Sequence, residues 1–169
     1  MAALMLRRTA LFVIIILAWA VFAAAVANSA PRDIVHFQGY APGTIVVKTN
    51  ERRLYFVLDP YRALRFPVGV GRQGKQWNGV ARVEGKYVRP AWQAPPELGG
   101  GPVIAGGAPN NPMGVAALTL RGGEYAIHGT NRPQSIGGFV SSGCIRMHNR
   151  DIRELYALVQ VGTPVIVQR

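Results

Sequence analysis

With 169 residues, 49% of them apolar, the chain has material for one domain of ordinary size with a real hydrophobic core. Nineteen Lys and Arg against eight Asp and Glu give a net charge of +11, which suits an anionic partner; no nucleic-acid motif accompanies the charge, so nucleic acid is set aside. A single cysteine, Cys144, excludes an intrachain disulfide.

The amino end differs in kind from the rest. Arg7 and Arg8 precede an uncharged apolar run from Ala10 to Ala27, and small residues follow. Basic, apolar, then small, with Ala25 and Ala27 at a cleavage point, is the order of a signal peptide over residues 1–30. The run is also nearly long enough to span a bilayer, so the alternative is an uncleaved anchor, with membrane attachment through residues 4–27. Either way the body is expected to be exported, into the periplasm or cell envelope. Beyond residue 30 there remain 17 basic and 8 acidic residues, a charge of +9. Such a domain is attracted to an anionic polymer such as peptidoglycan or to anionic lipid headgroups, or is simply a basic soluble surface.

Residues 31–43 carry proline and glycine without a period and read as a linker; His36, inside it, has no ligand-like neighbours. From Thr44 the pattern turns to β. Ile45–Val47 is a short branched run, Thr49-Asn50-Glu51 a turn, and Arg53–Leu58 an aromatic and branched strand that Asp59-Pro60 breaks. Leu64–Val70 is a third strand, with Pro67 suggesting an edge or bulge. A loop over 72–78 leads to a strand over Val80–Val88. Trp92 then stands in an extended, proline-rich stretch, and 97–112 is so rich in Gly, Pro and Asn that it is loop, a candidate flap.

Ala116–Leu120 and Glu124–His128 read as strands joined by a turn at Arg121-Gly122-Gly123, which leaves His128 at a strand end. After a turn at 131–133 and a short helix or turn over 134–140 comes the loop Ser141–Arg146. Asn149 is suited to cap a helix, with Asp151 in its positive first turn. Ile152, Leu155, Tyr156 and Val159 follow at helical spacing. Gly162 stops the helix and Pro164–Val167 closes the chain as a strand.

The chemistry concentrates in Ile127–Asn149, IHGTNRPQSIGGFVSSGCIRMHN. Alone, Cys144 is a buried apolar side chain, an intermolecular disulfide partner or a reactive thiol. His128, sixteen positions earlier, can take the thiol proton and stabilise the thiolate. Gly129 and Gly143 flank the pair, and backbone N–H groups of Gly143 and Cys144 are candidate donors to an oxyanion. Arg146 can grip a substrate carboxylate through its planar fork or hold the loop by bonding carbonyls. A zinc site from Cys144, His128, His148 and His36 is disfavoured, because no closely spaced ligand pair occurs. Glu124, on the same strand face as His128, is a weak candidate to orient the imidazole.

His128-Gly129, the gap, and then Ser141, Gly143, Cys144, Ile145 and Arg146 resemble the L,D-transpeptidase catalytic domain of bacterial cell-wall enzymes. One departure is Ser142, where many members carry histidine two residues before the cysteine. The resemblance extends over roughly Pro42 to the C-terminus, giving a domain over 44–169. It implies a mainly β, β-sandwich-like fold with one or two short helices. It implies that Cys144 is the nucleophile, His128 the general base and acid, and the Gly129 carbonyl the group that orients His128. Arg146, Ser142 and Ser141 are the candidate substrate contacts, and the two serines also suit loop-shaping hydrogen bonds. The implied substrate is the peptidoglycan stem peptide: a thioester forms as D-alanine leaves, and a second stem's amine attacks it to give a 3–3 cross-link. No cofactor and no metal are expected; no ATP is required, since the thioester carries over the energy of the broken bond. Water as acceptor gives an L,D-carboxypeptidase and a protein acceptor gives attachment to the wall; a wall-binding module without catalysis is the non-enzymatic alternative.

Overall fold

The computed structural model describes residues 33–122 and 125–169. The expected signal or anchor segment, Gly123 and Glu124 lie outside them. Among the described residues no helix is long and apolar enough to cross a membrane.

The strands are β1 (Ile34–His36), β2 (Ile45–Lys48), β3 (Arg53–Asp59), β4 (Arg62–Gly71), β5 (Gly79–Val88), β6 (Ala116–Leu120), β7 (Ala126–His128), β8 (Phe139–Ser141), β9 (Ile145–Met147) and β10 (Pro164–Gln168). One α-helix, α1 (Asn149–Leu158), stands between β9 and β10. Short 3-10 turns occupy Pro96–Leu98 and Pro133–Ser135.

Two long strands each change partners along their length and join the faces of the sandwich. The first part of β4 pairs antiparallel with β3 up to Arg53↔Pro67; from Val68 the strand pairs with β9 instead. Pro67 has no N–H to give a ladder, and β4 changes partners there. In the same way β5 pairs with β10 through Arg82 and with β6 from Val83. The pairings β4-β3-β2-β10-β5-β6-β7-β9 therefore return to β4 and close a ring. Closure removes most of the open edges on which other chains could pair.

The core lies inside this ring. Ile45, Leu54, Leu118, Ile127, Ile145 and Met147 are at most 1% exposed, and α1 adds Ile152 and Leu155. Leucines and isoleucines buried this fully contribute roughly 1.5–3 kcal/mol each relative to exposure. On β2 the alternation is masked: Ile45, Val46 and Val47 are all buried, because Val46 faces a second apolar cluster with Phe37, Tyr55, Val57 and Ala63.

That second cluster corrects the linker expected over 31–43. Ile34–His36 is a strand on β4, paired Ile34↔Leu64 to His36↔Arg62. Phe37 then stacks on Tyr55 with ring centroids 4.3 Å apart. Three residues are too few to show a period, so the strand was invisible locally. His36 lies over Tyr61.

The glycine-rich 97–112 stretch is non-repetitive, as expected, but tied down. Trp92 and Ile104 exchange backbone hydrogen bonds (3.0 and 2.7 Å), and Trp92 is outside the core clusters. Asn111, 1% exposed, donates through Nδ2 to the carbonyls of Pro90 (2.9 Å), Ala105 (3.0 Å) and Ile104 (3.3 Å). Its Oδ1 accepts from the Met113 N–H at 2.9 Å. Asn111→Ala strips buried backbone groups of their partners, and is expected to cost about 2–4 kcal/mol. A drop in the urea midpoint, with faster amide exchange at Trp92 and Ile104, checks this; an unchanged midpoint refutes it.

Candidate active site

β7 and β9 run side by side in parallel, with Ile127 opposite Ile145 and His128 opposite Arg146. Both isoleucines point into the core, at 0% and 1% exposure. Side chains alternate along a strand, so Ala126 and His128 share the opposite face with Arg146. The ladder sets His128 opposite Arg146, and Cys144 is the residue just before β9, with its thiol against the Ala126 N–H of β7.

His128 is buried, at 4% exposure, and its Nδ1 lies 2.6 Å from the Gly129 carbonyl oxygen. A carbonyl only accepts, so Nδ1 carries the proton and Nε2 keeps its lone pair. Burial lowers the imidazole pKa to about 4, and the Arg146 charge acts the same way; the Gly129 and Pro112 carbonyls oppose them. Burial raises the thiol of half-buried Cys144, against the Ala126 N–H and the Arg146 charge. Around neutral pH the imidazole is uncharged and the thiol holds its proton. Arg146 is itself lowered by burial and by Arg132, with Cys144 opposing. Its buried Nε has no hydrogen-bond partner among the described residues.

The loop before Cys144 is held by its own serine. Ser141, 2% exposed, accepts from the Gly143 N–H at 3.0 Å and donates to the Cys144 carbonyl at 2.6 Å. Ser141 thus spends its hydroxyl on the loop, the loop-shaping use expected of it. The Gly143 N–H is already donated, which leaves the N–H of Cys144 as the remaining member of the expected oxyanion pair. Ser142 is exposed.

Behind the loop stands an aromatic pair that the sequence did not single out. Trp77 stacks on Tyr125 at 5.0 Å with planes 7° apart, and its Nε1 donates to the Gly143 carbonyl at 3.0 Å. A Cβ on Gly143 would collide with the Tyr125 ring, and its φ of +131° is one that side-chain-bearing residues rarely adopt. Gly143→Ala is expected to cost about 2–4 kcal/mol from strain and overpacking together. A fall in Tm with slower thiol alkylation checks this, and a variant with both unchanged refutes it. Trp77 and Tyr125 also line a cleft of about 190 Å³ with Val80, Ala81, Leu120 and Arg121. Neither His128 nor Cys144 lines it.

Contrary to the expectation from its type and place, Asn149 does not cap α1. The capping position falls on His148, and Asn149 is the first helical residue. Its amide turns instead to the chain around His128. Oδ1 accepts from the N–H groups of Thr130 (3.0 Å) and Val115 (3.3 Å), and Nδ2 donates to the Thr130 carbonyl at 3.0 Å. These partners lie 19 and 34 residues away along the chain. Asp151 does sit in the first turn of the helix. Among the described residues no three His, Cys, Asp or Glu side chains gather as a metal site.

The family profile described as the L,D-transpeptidase catalytic domain matches residues 42–167. The chain belongs to this family. Among the L,D-transpeptidase relatives is the Escherichia coli (strain K12) protein named Probable L,D-transpeptidase ErfK/SrfK, 39% identical over 132 residues, 72% of this chain and 42% of that one. Another, Putative L,D-transpeptidase YkuD of Bacillus subtilis, is 52% identical over 61 residues, 36% of this chain and 37% of its own. The chain thus aligns with less than half the length of these curated relatives. Solved L,D-transpeptidase structures share the fold. L,D-transpeptidase 3 from Mycobacterium tuberculosis superposes with a TM-score of 0.62 at 18% identity, covering 75% of this chain and 60% of that one. The catalytic domain of the Enterococcus faecium L,D-transpeptidase gives 0.57 at 22% identity, covering 74% and 95%.

Proposed function

We propose that this L,D-transpeptidase-family chain exchanges peptidoglycan stem peptides through a thioester on Cys144. The observation that supports the reading is the parallel pairing of β7 with β9, which runs the chain at His128 beside the chain that follows Cys144, with the imidazole Nδ1 proton committed to Gly129. As Cys144 Sγ attacks the carbonyl of the stem's third residue, Nε2 of His128 accepts the thiol proton. The tetrahedral oxyanion collapses, the C–N bond to the terminal D-alanine breaks, and the imidazolium returns the proton to the leaving amine. The amine of a second stem then attacks the thioester, loses its proton to His128, and leaves a 3–3 cross-link with the thiol restored. Each step balances without an external energy source or cofactor.

Arg146 is the candidate grip for a stem carboxylate. Its unpartnered buried Nε and the like charge of Arg132 favour an anion there. Ser142, exposed in the same loop, is the second candidate substrate contact. Export by residues 1–30, whether cleaved or kept as an anchor, places this chemistry where its polymer is.

Incubation of the purified protein with tetrapeptide muropeptides, read by mass spectrometry, tests the proposal. Cross-linked dimers with released D-alanine are expected. Tripeptides alone mean that water is the acceptor and the enzyme is a carboxypeptidase. Unchanged substrate beside retained binding leaves only a wall-binding module and overturns the reading.

A further inference from the structure

The carbonyl that orients His128 belongs to a peptide group gripped from its other side. The Gly129–Thr130 peptide presents its C=O to His128 Nδ1 at 2.6 Å and its N–H to Asn149 Oδ1 at 3.0 Å. In a trans peptide these two groups point in opposite directions, so pinning the N–H fixes the heading of the carbonyl. Asn149 cannot rotate freely while doing this. Its Oδ1 also accepts from Val115, and its Nδ2 donates to the Thr130 carbonyl. Partners of both kinds settle which atom is oxygen and which is nitrogen. Space for the amide comes from two glycines: a Cβ on Gly114 or on Gly129 would run into Asn149 Oδ1.

We infer that Asn149 is a positioning residue, whose amide holds the 129–130 peptide plane so that His128 stays in the Nδ1–H tautomer with Nε2 turned to reaction. The chain amide oxygen, peptide N–H, peptide C=O, imidazole N–H is a continuous hydrogen-bonded series, in which each link polarises the next. It does the work of an orienting carboxylate without burying a charge beside the imidazole. The inference rests on His128 being the base in the proposed reaction, but the tautomer can be measured without any turnover.

The test is long-range nitrogen–proton NMR of the His128 ring at neutral pH, in the full chain and in Asn149→Ala and Asn149→Asp. The parent protein should show Nδ1–H alone. Asn149→Ala should admit the Nε2–H tautomer, and should slow iodoacetamide alkylation of Cys144 about tenfold or more, as lost base catalysis does. Asn149→Asp keeps the acceptor and strengthens it, so its Nδ1 proton should remain and move downfield. An Asn149→Ala protein with a lower Tm but the parental tautomer and alkylation rate makes the residue merely structural and overturns the inference. Should Asn149→Ala not fold, an unshifted or absent Nδ1 proton in Asn149→Asp overturns it equally. If the tautomers behave as expected while muropeptides stay unchanged, the positioning role stands and the proposed reaction fails.

Discussion

Cys144→Ala is expected to abolish stem-peptide exchange, by about 10⁴-fold or more, because the whole reaction passes through one covalent bond to sulfur. The fold should survive. Cys144 is half-buried and outside both apolar clusters, and the loop is held instead by Ser141 and by the Trp77 bond to Gly143. The loss of one partly exposed thiol is expected to change stability by about 1 kcal/mol or less. Muropeptide turnover and a thermal melt, measured side by side, check both halves. Residual turnover within tenfold of the parent would remove Cys144 as nucleophile. A collapsed melt would mean that the cysteine is structural.

The second large effect is on pH dependence, and it comes from the burial of His128. The folded imidazole titrates near 4, against 6.5 for the ordinary side chain. Its acid limb in Cys144 alkylation should therefore fall near pH 4 and not near 6.5, since only the protonated imidazole has lost the lone pair that accepts the thiol proton. The same displacement bears on stability. Above the unfolded value both states hold a neutral ring, and the group contributes no slope. As pH falls below it, the unfolded chain takes up a proton that the folded one refuses, so stability is lost until the folded value is reached. The size of this loss is roughly 3 kcal/mol, from about 1.4 kcal/mol per unit of displacement. His128→Gln should lack this part of the acid sensitivity, and should lower acylation by about 10²- to 10⁴-fold at neutral pH. Equal acid sensitivity in the two proteins, or a parental acid limb at 6–6.5, would mean that the ring is solvated and charged in the working range.

Local pattern and composition accounted for much of the scaffold. Strands over 45–47, 53–58, 64–70, 80–88, 116–120 and 164–167 were legible because branched and aromatic residues there alternate or run between turn formers. The terminal helix was legible because Ile152 and Leu155 recur at its period. Two of the three-residue strands were not legible. Ile34–His36 and Phe139–Ser141 have three residues each, and both are strands only because β4 offers them an edge. The stretch 97–112 shows a related limit: abundant glycine predicts irregular backbone, but the buried amide of Asn111 that ties part of it down is seen only in the fold.

At the site the division is sharper. Which reactive groups exist is written in the order of residues: one thiol, an imidazole sixteen residues before it, and a guanidinium two residues after, in a spacing that resembles one enzyme family. Residue type and spacing along a loop carry that information because nucleophile and base are chemical identities. How those groups are tuned depends on the packing of distant segments. The parallel pairing of β7 with β9, the burial that keeps His128 neutral, the surrender of the Gly143 N–H to Ser141 and the turning of Asn149 toward the 129–130 peptide all arise from cross-chain packing. Asn149 shows the reason most plainly. Beside a helix start its side chain has a local use as a cap, and a distant pair of backbone N–H groups, reachable only once two glycines clear the way, outcompetes it.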